Sequence, residues 1–173
     1  MSPREIPLTS TPAADPSKRS EVLAQVEAML QGAADQAPVD SAQHFRRIGE
    51  NAMRLDPRPG KTEIVYDLMD EVPLLPAHAI PLGLLAGEAI VNALKHAHPA
   101  GVPGEVRITT RRFAEDFCVI VEDDGVGLPQ DFSPAADGQR GFQTMQTLAD
   151  HLGARLTWRS TPLGLRLEIL APL

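Results

Sequence analysis

Apolar positions along the chain follow two rhythms, one of three to four residues and one of two. Val22, Val26, Met29, Leu30 and Ala33 recur at helical spacing, which predicts an amphipathic helix over residues 18–34 with an apolar face in need of a partner. Asp35-Gln-Ala-Pro38 interrupts it. Asp40 suits the N-cap of a second helix to about Leu55, with Phe45, Ile48, Ala52 and Leu55 on one face, and Asp56-Pro-Arg-Pro-Gly60 stops it. Residues 62–68 alternate like a strand. A proline-punctuated stretch then leads into a long apolar helix over residues 77–97. Residues 105–112 and 117–122 read as strands joined by the polar turn Ala114-Glu-Asp116. Residues 128–140 show no periodicity. A helix over residues 142–152 ends at Gly153, a good C′ residue, and residues 156–160 and 165–170 form a closing hairpin.

The predicted order is therefore α, α, β, α, β, β, long loop, α, β, β. Strands that outnumber helices and lie mostly in hairpins predict an α+β fold: a two-layer sandwich in which helices cover one face of a mixed, mainly antiparallel sheet. Residues 1–16, rich in Ser, Thr, Pro and Ala, read as a flexible tail. The expected division is a tail (1–16), an amphipathic dimerisation or docking helix (17–38) and one domain (39–173).

Composition narrows the function classes. The net charge of −7 and one Trp, one Tyr and five Phe in 173 residues leave no broad nucleic-acid surface and no base-stacking platform. Any phosphate binding must then be local. A single cysteine, Cys118, excludes an intrachain disulfide or a multi-cysteine zinc site, and its apolar surroundings suggest a small core residue. Met1-Ser-Pro-Arg-Glu lacks the apolar core of a signal peptide, and no run reaches the roughly 18 apolar residues that span a bilayer. A cytoplasmic protein without membrane insertion is expected.

Three constellations carry chemistry. In Glu88-Ala-Ile-Val-Asn-Ala-Leu-Lys-His-Ala97, the i, i+4 and i, i+3 spacings put Glu88, Asn92, Lys95 and His96 on one helical stripe. Asn92 suits an oxygen-seeking cation that keeps most of its waters, Glu88 a water-orienting or basic role, and Lys95 and His96 phosphate charge. The plainer alternative is a solvated polar face. The second constellation is Asp123-Asp-Gly-Val-Gly127 after a buried strand. There a carboxylate could accept a purine amino proton, and the glycines would allow close approach. Read alone it is a common turn, and the oxygen ligands of a calcium loop do not follow. The third is Gly138-Gln-Arg-Gly-Phe-Gln-Thr-Met145, where glycines open a helix whose N-terminus can hold an anion, with Arg140 as a further contact. It lacks the Gly-Lys-Ser/Thr ending of a P-loop.

In this order the motifs resemble the GHKL ATPase superfamily, most closely the ATP-binding domain of sensor histidine kinases. Residues 88–97 look like the N-box, Asp123-Asp-Gly-Val-Gly-Leu-Pro129 like the G1 box, and residues 138–145 like the G2 region. The resemblance covers roughly residues 39–173. It implies a Bergerat sandwich binding ATP and Mg²⁺, with Asn92 on the metal, Glu88 activating or polarising, and Lys95 and His96 near the phosphates. Asp123 would bind the adenine amino group, Gly125 and Gly127 would shape the base pocket, and Gly138, Arg140 and Gly141 would belong to the phosphate grip of a lid.

The chain departs from the family in two places. Gln139-Arg-Gly141 stands where the family has Gly-x-Gly. A phosphoacceptor histidine on an upstream helical hairpin is also missing, because His44 lies too close to the N-box and reads as a surface residue of the ATPase domain. The expected activity is therefore transfer of the γ-phosphoryl to a histidine supplied elsewhere. Expected partners are a phosphoacceptor or dimerisation domain, a response regulator, and a second copy bound through the N-terminal helix. A stand-alone anti-sigma-factor serine kinase and a non-catalytic adaptor are the alternatives.

Overall fold

The computed structural model describes residues 4–7, 16–33, 36–57, 59–129, 132 and 140–173; for 4–7, 16–18 and 140 it describes the backbone only. The strands are β1 (Arg4–Pro7), β2 (Val39–Asp40), β3 (Thr62–Asp67), β4 (Pro73–Leu74), β5 (Gly104–Phe113), β6 (Asp116–Asp123), β7 (Arg155–Thr161) and β8 (Gly164–Pro172). The helices are α1 (Pro16–Gly32), α2 (Ser41–Met53), α3 (Pro76–His96) and α4 (Arg140–Leu152). Six strands form one sheet in the order β1-β7-β8-β6-β5-β3. Only the β3–β5 pair is parallel, so the sheet is mixed and mainly antiparallel. β2 and β4 pair separately.

Strand alternation places the core. Val106 and Ile108 of β5, Phe117, Val119 and Val121 of β6, and Trp158 of β7 join one buried cluster with the helices. The opposite face carries charge pairs, among them Arg166 with Glu122 at 3.0 Å and Arg107 with Glu105 at 2.6 Å, partly exposed and worth little singly. Cys118 is buried as expected, but it points to this opposite face, in register with Arg111 and Leu170. Burial, ahead of the nearby Glu168 carboxylate, pushes its thiol up to about 11.

α3 is the central helix. Leu82, Leu85, Ala86, Ala89, Ile90 and Ala93 give it a wide buried face, which accounts for a segment apolar and long enough to cross a membrane by composition. α2 begins as expected, with the Gln43 N–H donating to Asp40 Oδ2 at 2.9 Å. The helix stops at Met53, and Leu55 is exposed rather than on its buried face.

The N-terminal region differs most from expectation. The supposed tail contains β1, whose Ile6 is in register with Trp158. The outer edge of β7 would otherwise present unpaired backbone groups, and a four-residue edge strand containing proline can cover them. Most of the apolar face of α1 is not left open for a partner either, although Met29 is exposed. Val26 is buried in the common core, Val22 and Leu30 pack against it, and the helix lies on α3 and α4. Arg19 adds a surface ion pair to Asp150 at 3.4 Å.

Candidate functional site

A cavity of about 700 Å³ opens between the C-terminal half of α3, the turn after β6, the start of α4 and the inner faces of β7 and β8. Such a volume suits a ligand of nucleotide size. The whole helical stripe faces it. Glu88 and Asn92 are half-buried, one turn apart, while Lys95 and His96 line the cavity from exposed positions on the last turn of α3. Ala89, Ile90, Ala93 and Leu94, between and beside them, are buried in the core, which fixes the stripe's direction.

α4 begins against the same stripe. A Cβ on Gly141 would lie 3.3 Å from Glu88 Oε2 and 3.6 Å from Asn92 Nδ2. The first turn of a 13-residue helix, where N–H groups lie beyond the helix's own hydrogen-bond ladder, thus meets the acid and amide of α3. Arg140 is the first residue of α4. Gly138 lies outside the described residues.

Asp123, at the end of β6, lines the cavity. Its Oδ1 accepts from the N–H of Gly125 at 3.0 Å and of Leu165 at 3.2 Å. Burial lifts its carboxyl above the usual carboxylate range, and the two N–H donors only partly offset this. The neighbouring Asp124 turns away from the cavity. Its Oδ1 lies 2.7 Å from His98 Nε2 and accepts the Glu105 N–H at 2.8 Å. Partial burial raises its carboxyl, but the Glu105 N–H and His98 outweigh that and hold it below its ordinary value.

The two glycines of this turn are required by protein neighbours. A side chain on Gly125 would collide with the Ala97 carbonyl, and the Val126 N–H donates to that same carbonyl at 2.9 Å. Gly127 has φ +67°, and a side chain there would strike the Thr161 carbonyl at the β7–β8 turn. The Leu128 N–H is tied to Ser160 Oγ at 2.8 Å. Gly127 lines the cavity. Gly125 stands behind it and joins the turn to the end of α3.

Sequence reasoning missed the apolar lining. Phe132, Phe142, Trp158 and Leu165 all face the cavity, and the Phe142 and Trp158 rings lie 4.9 Å apart. Alternation marked Trp158 and Leu165 only as strand positions, and no local pattern shows that β7 and β8 floor a cavity. His98 was missed as well; the signal for it is its place two residues beyond the stripe, ahead of an acidic turn. His44 is half-buried rather than on the surface. Its Nε2 lies 2.8 Å from the Ala79 carbonyl, against the space left by Gly83. Burial lowers its pKa, while the Ala79 carbonyl pulls the other way.

Among the described residues no group of three or more His, Cys, Asp and Glu side chains could cage a metal ion. An amide and a carboxylate beside a helix N-terminus fit instead a hydrated cation shared with a polyanion.

Residues 58–169 match the family of histidine kinase-like ATPase domains. Over 132 residues the chain is 33% identical to blue-light-activated histidine kinase 2 of Erythrobacter litoralis, covering 75% of this chain and 37% of that protein. It is 41% identical over 71 residues to the sensor histidine kinase PdtaS of Mycobacterium tuberculosis, covering 40% of this chain and 14% of the relative. The chain thus spans well under half the length of these relatives. Among solved structures, the histidine kinase domain of the E. litoralis EL346 blue-light-activated histidine kinase superposes with a TM-score of 0.72 at 28% identity, covering 91% of this chain and 74% of that one.

Proposed function

Because the chain belongs to the family of histidine kinase-like ATPase domains, within the GHKL ATPases, we propose that it is the Mg-ATP-binding catalytic unit of a sensor histidine kinase. It hands the γ-phosphoryl of ATP to a histidine carried by another segment or polypeptide. The observation that carries this reading is the placement of Asp123 and the Glu88–Asn92 stripe on the walls of one cavity, with the start of α4 against that stripe. One wall offers an acceptor for a base amino group, and the other offers groups suited to phosphates and metal.

In this reading Asp123 receives the adenine amino group on Oδ2, since both of its protein hydrogen bonds fall on Oδ1. The N–H groups at the start of α4, with Lys95 and His96 at the mouth, hold the phosphates. Asn92 holds Mg²⁺ through its side-chain oxygen; bound there, the ion would neutralise phosphate charge during transfer. Glu88 orients and polarises the incoming imidazole. Catalysis of this kind rests on positioning and charge neutralisation. His44 is not the acceptor, because its Nε2 is engaged by the Ala79 carbonyl on the side of α2 that faces α3.

Calorimetry with a non-hydrolysable ATP analogue tests this. The wild-type chain binds it, with higher affinity when Mg²⁺ is present. Asn92→Ala loses the Mg²⁺-dependent part, a drop of about tenfold or more, corresponding to about 1.4 kcal/mol or more. An Asn92→Ala variant that binds Mg-ATP like wild type would sink the assignment.

A further inference from the structure

Resting on the ATP-site reading, we propose that His98 is a positioning residue for base recognition: it holds Asp124, and through it the turn that aims the Asp123 carboxylate into the cavity. His98 lies two residues past the end of α3 and stands behind the turn rather than on the cavity wall. Its side chain is 9% exposed, and its Nε2 lies 2.7 Å from Asp124 Oδ1. A carboxylate only accepts, so Nε2 carries the shared proton. A hydrogen bond to an ionised acceptor is among the stronger kinds, and here the donor end is screened from water.

Space for the imidazole is built into the fold. A Cβ on Gly104, at the start of β5, would fall on His98 Nε2 and Cδ2. Any side chain at Gly104 would therefore push the ring off Asp124. Asp124 Oδ1 also accepts the Glu105 N–H at 2.8 Å, so one oxygen ties the end of α3, the start of β5 and the turn after β6 together.

Neighbouring residues of that turn are held by different elements. Asp123 accepts from Leu165 of β8, Asp124 is held by His98 and β5, Val126 donates to the Ala97 carbonyl, and Leu128 donates to Ser160 of β7. With Asp123 Oδ1 engaged by two N–H groups, the direction of Oδ2 depends on where the peptide between residues 123 and 124 lies. Gly164 confines that peptide on one side, because a Cβ there would strike the Asp123 carbonyl. The His98–Asp124 contact confines it on the other. Without the imidazole donor, Asp124 loses its tie to the end of α3, and the proposed base acceptor gains freedom. Hydrogen bonds weaken steeply with misalignment, so the loss falls on the amino group of the base. His98 touches no ligand in this role and takes no part in phosphoryl transfer.

Calorimetry on the full chain compares ATP with purine riboside 5′-triphosphate, which lacks the exocyclic amino group. Wild type prefers ATP about tenfold or more. His98→Phe keeps a ring and removes the donor. Its preference falls to about threefold or less, while its affinity for purine riboside triphosphate stays near wild type. His98→Gln, whose amide nitrogen stands in for Nε2, restores most of the preference. A merely structural role would weaken both nucleotides alike and leave their ratio unchanged. A folded His98→Phe with the wild-type ratio, or a His98→Gln no better than His98→Phe, overturns the inference alone. Nitrogen-15 NMR of the wild-type ring tests the donor whether or not the variants fold: Nε2 is protonated, and a bare Nε2 overturns the inference. Wild type that binds both nucleotides equally overturns the role of Asp123 at the base end, and this inference with it. Wild type that binds neither overturns the ATP-site reading as a whole.

Discussion

Gly125 and Gly101 separate two reasons for keeping a glycine. Gly101 has φ +73° and open space around its Cα, so Gly101→Ala meets only backbone strain of about 1–2 kcal/mol. Gly125 lacks a positive φ, but a methyl group there would drive into the Ala97 backbone. Relief requires moving the turn off the end of α3, and the expected loss is about 1–3 kcal/mol together with weakened nucleotide binding. Urea denaturation of both variants, paired with nucleotide titration, checks this: Gly101→Ala should leave binding unchanged. Asp124 gives a second residue-scale prediction. Its folded pKa is depressed, so its contribution to stability is present above the unfolded value of about 3.9 and is lost as pH falls through the folded value. Asp124→Asn should therefore be less stable than wild type near pH 7, and the gap should close under acid conditions below about pH 4. A gap that widens on acidification would contradict the assignment. Asp123 has the opposite sign. Burial raises its pKa, so its ionised form costs stability at neutral pH, as suits a group kept for a ligand.

At the scale of elements, Val26 and Met29 test how α1 is held. Val26 is 1% exposed in the common core, whereas Met29 is 49% exposed on the same helix. Val26→Ala removes two buried methyl-sized groups, about 1.6 kcal/mol at about 0.8 each, and Met29→Ala should be close to neutral. Chemical denaturation measures both; equal effects would mean that α1 does not dock on α3 and α4 in solution. The same helix shows how far sequence reasoning reached. Its apolar spacing was legible, but a periodic face says only that a partner exists, and here the partner lies within the chain. β3, β5, β7 and β8 were legible because each alternates over several residues between turn signals, and β6 because residues 117–121 form a short apolar run bounded by polar turns. β1 was not, since Arg4–Pro7 is short, contains a proline and finds its partner at residues 157–160. The two-residue β2–β4 pair is too short to leave any pattern. In the site, the polar stripe and Asp123 were legible from spacing on single elements. Trp158 was not, because only sheet order brings it beneath the cavity.

The cavity is a property of the whole molecule. Glu88 and Asn92 come from α3, Asp123 from the end of β6, Gly141 and Phe142 from the start of α4, and Trp158 and Leu165 from paired strands. No contiguous segment contains both the proposed phosphate end and the proposed base end, so the unfolded chain cannot reproduce the site. A ligand that recognises both ends should then bind the native state alone and stabilise it by mass action. At a free concentration about 100-fold above its dissociation constant, the gain is about 2.7 kcal/mol. For a domain of this size each kcal/mol moves the melting temperature by about 2–4 °C, so a rise of about 5–11 °C is expected. The rise for Mg-ATP should exceed that for ATP with EDTA at the same total concentration, because the proposed metal contact of Asn92 forms only in the first case. Asn92→Ala should shrink that difference while keeping the wild-type melting temperature without nucleotide, since Asn92 is only half-buried. Differential scanning calorimetry at matched total nucleotide concentration distinguishes the outcomes. A ligand that binds by calorimetric titration yet leaves the melting temperature unchanged must bind the unfolded chain equally well, and its site would then be local rather than this cavity.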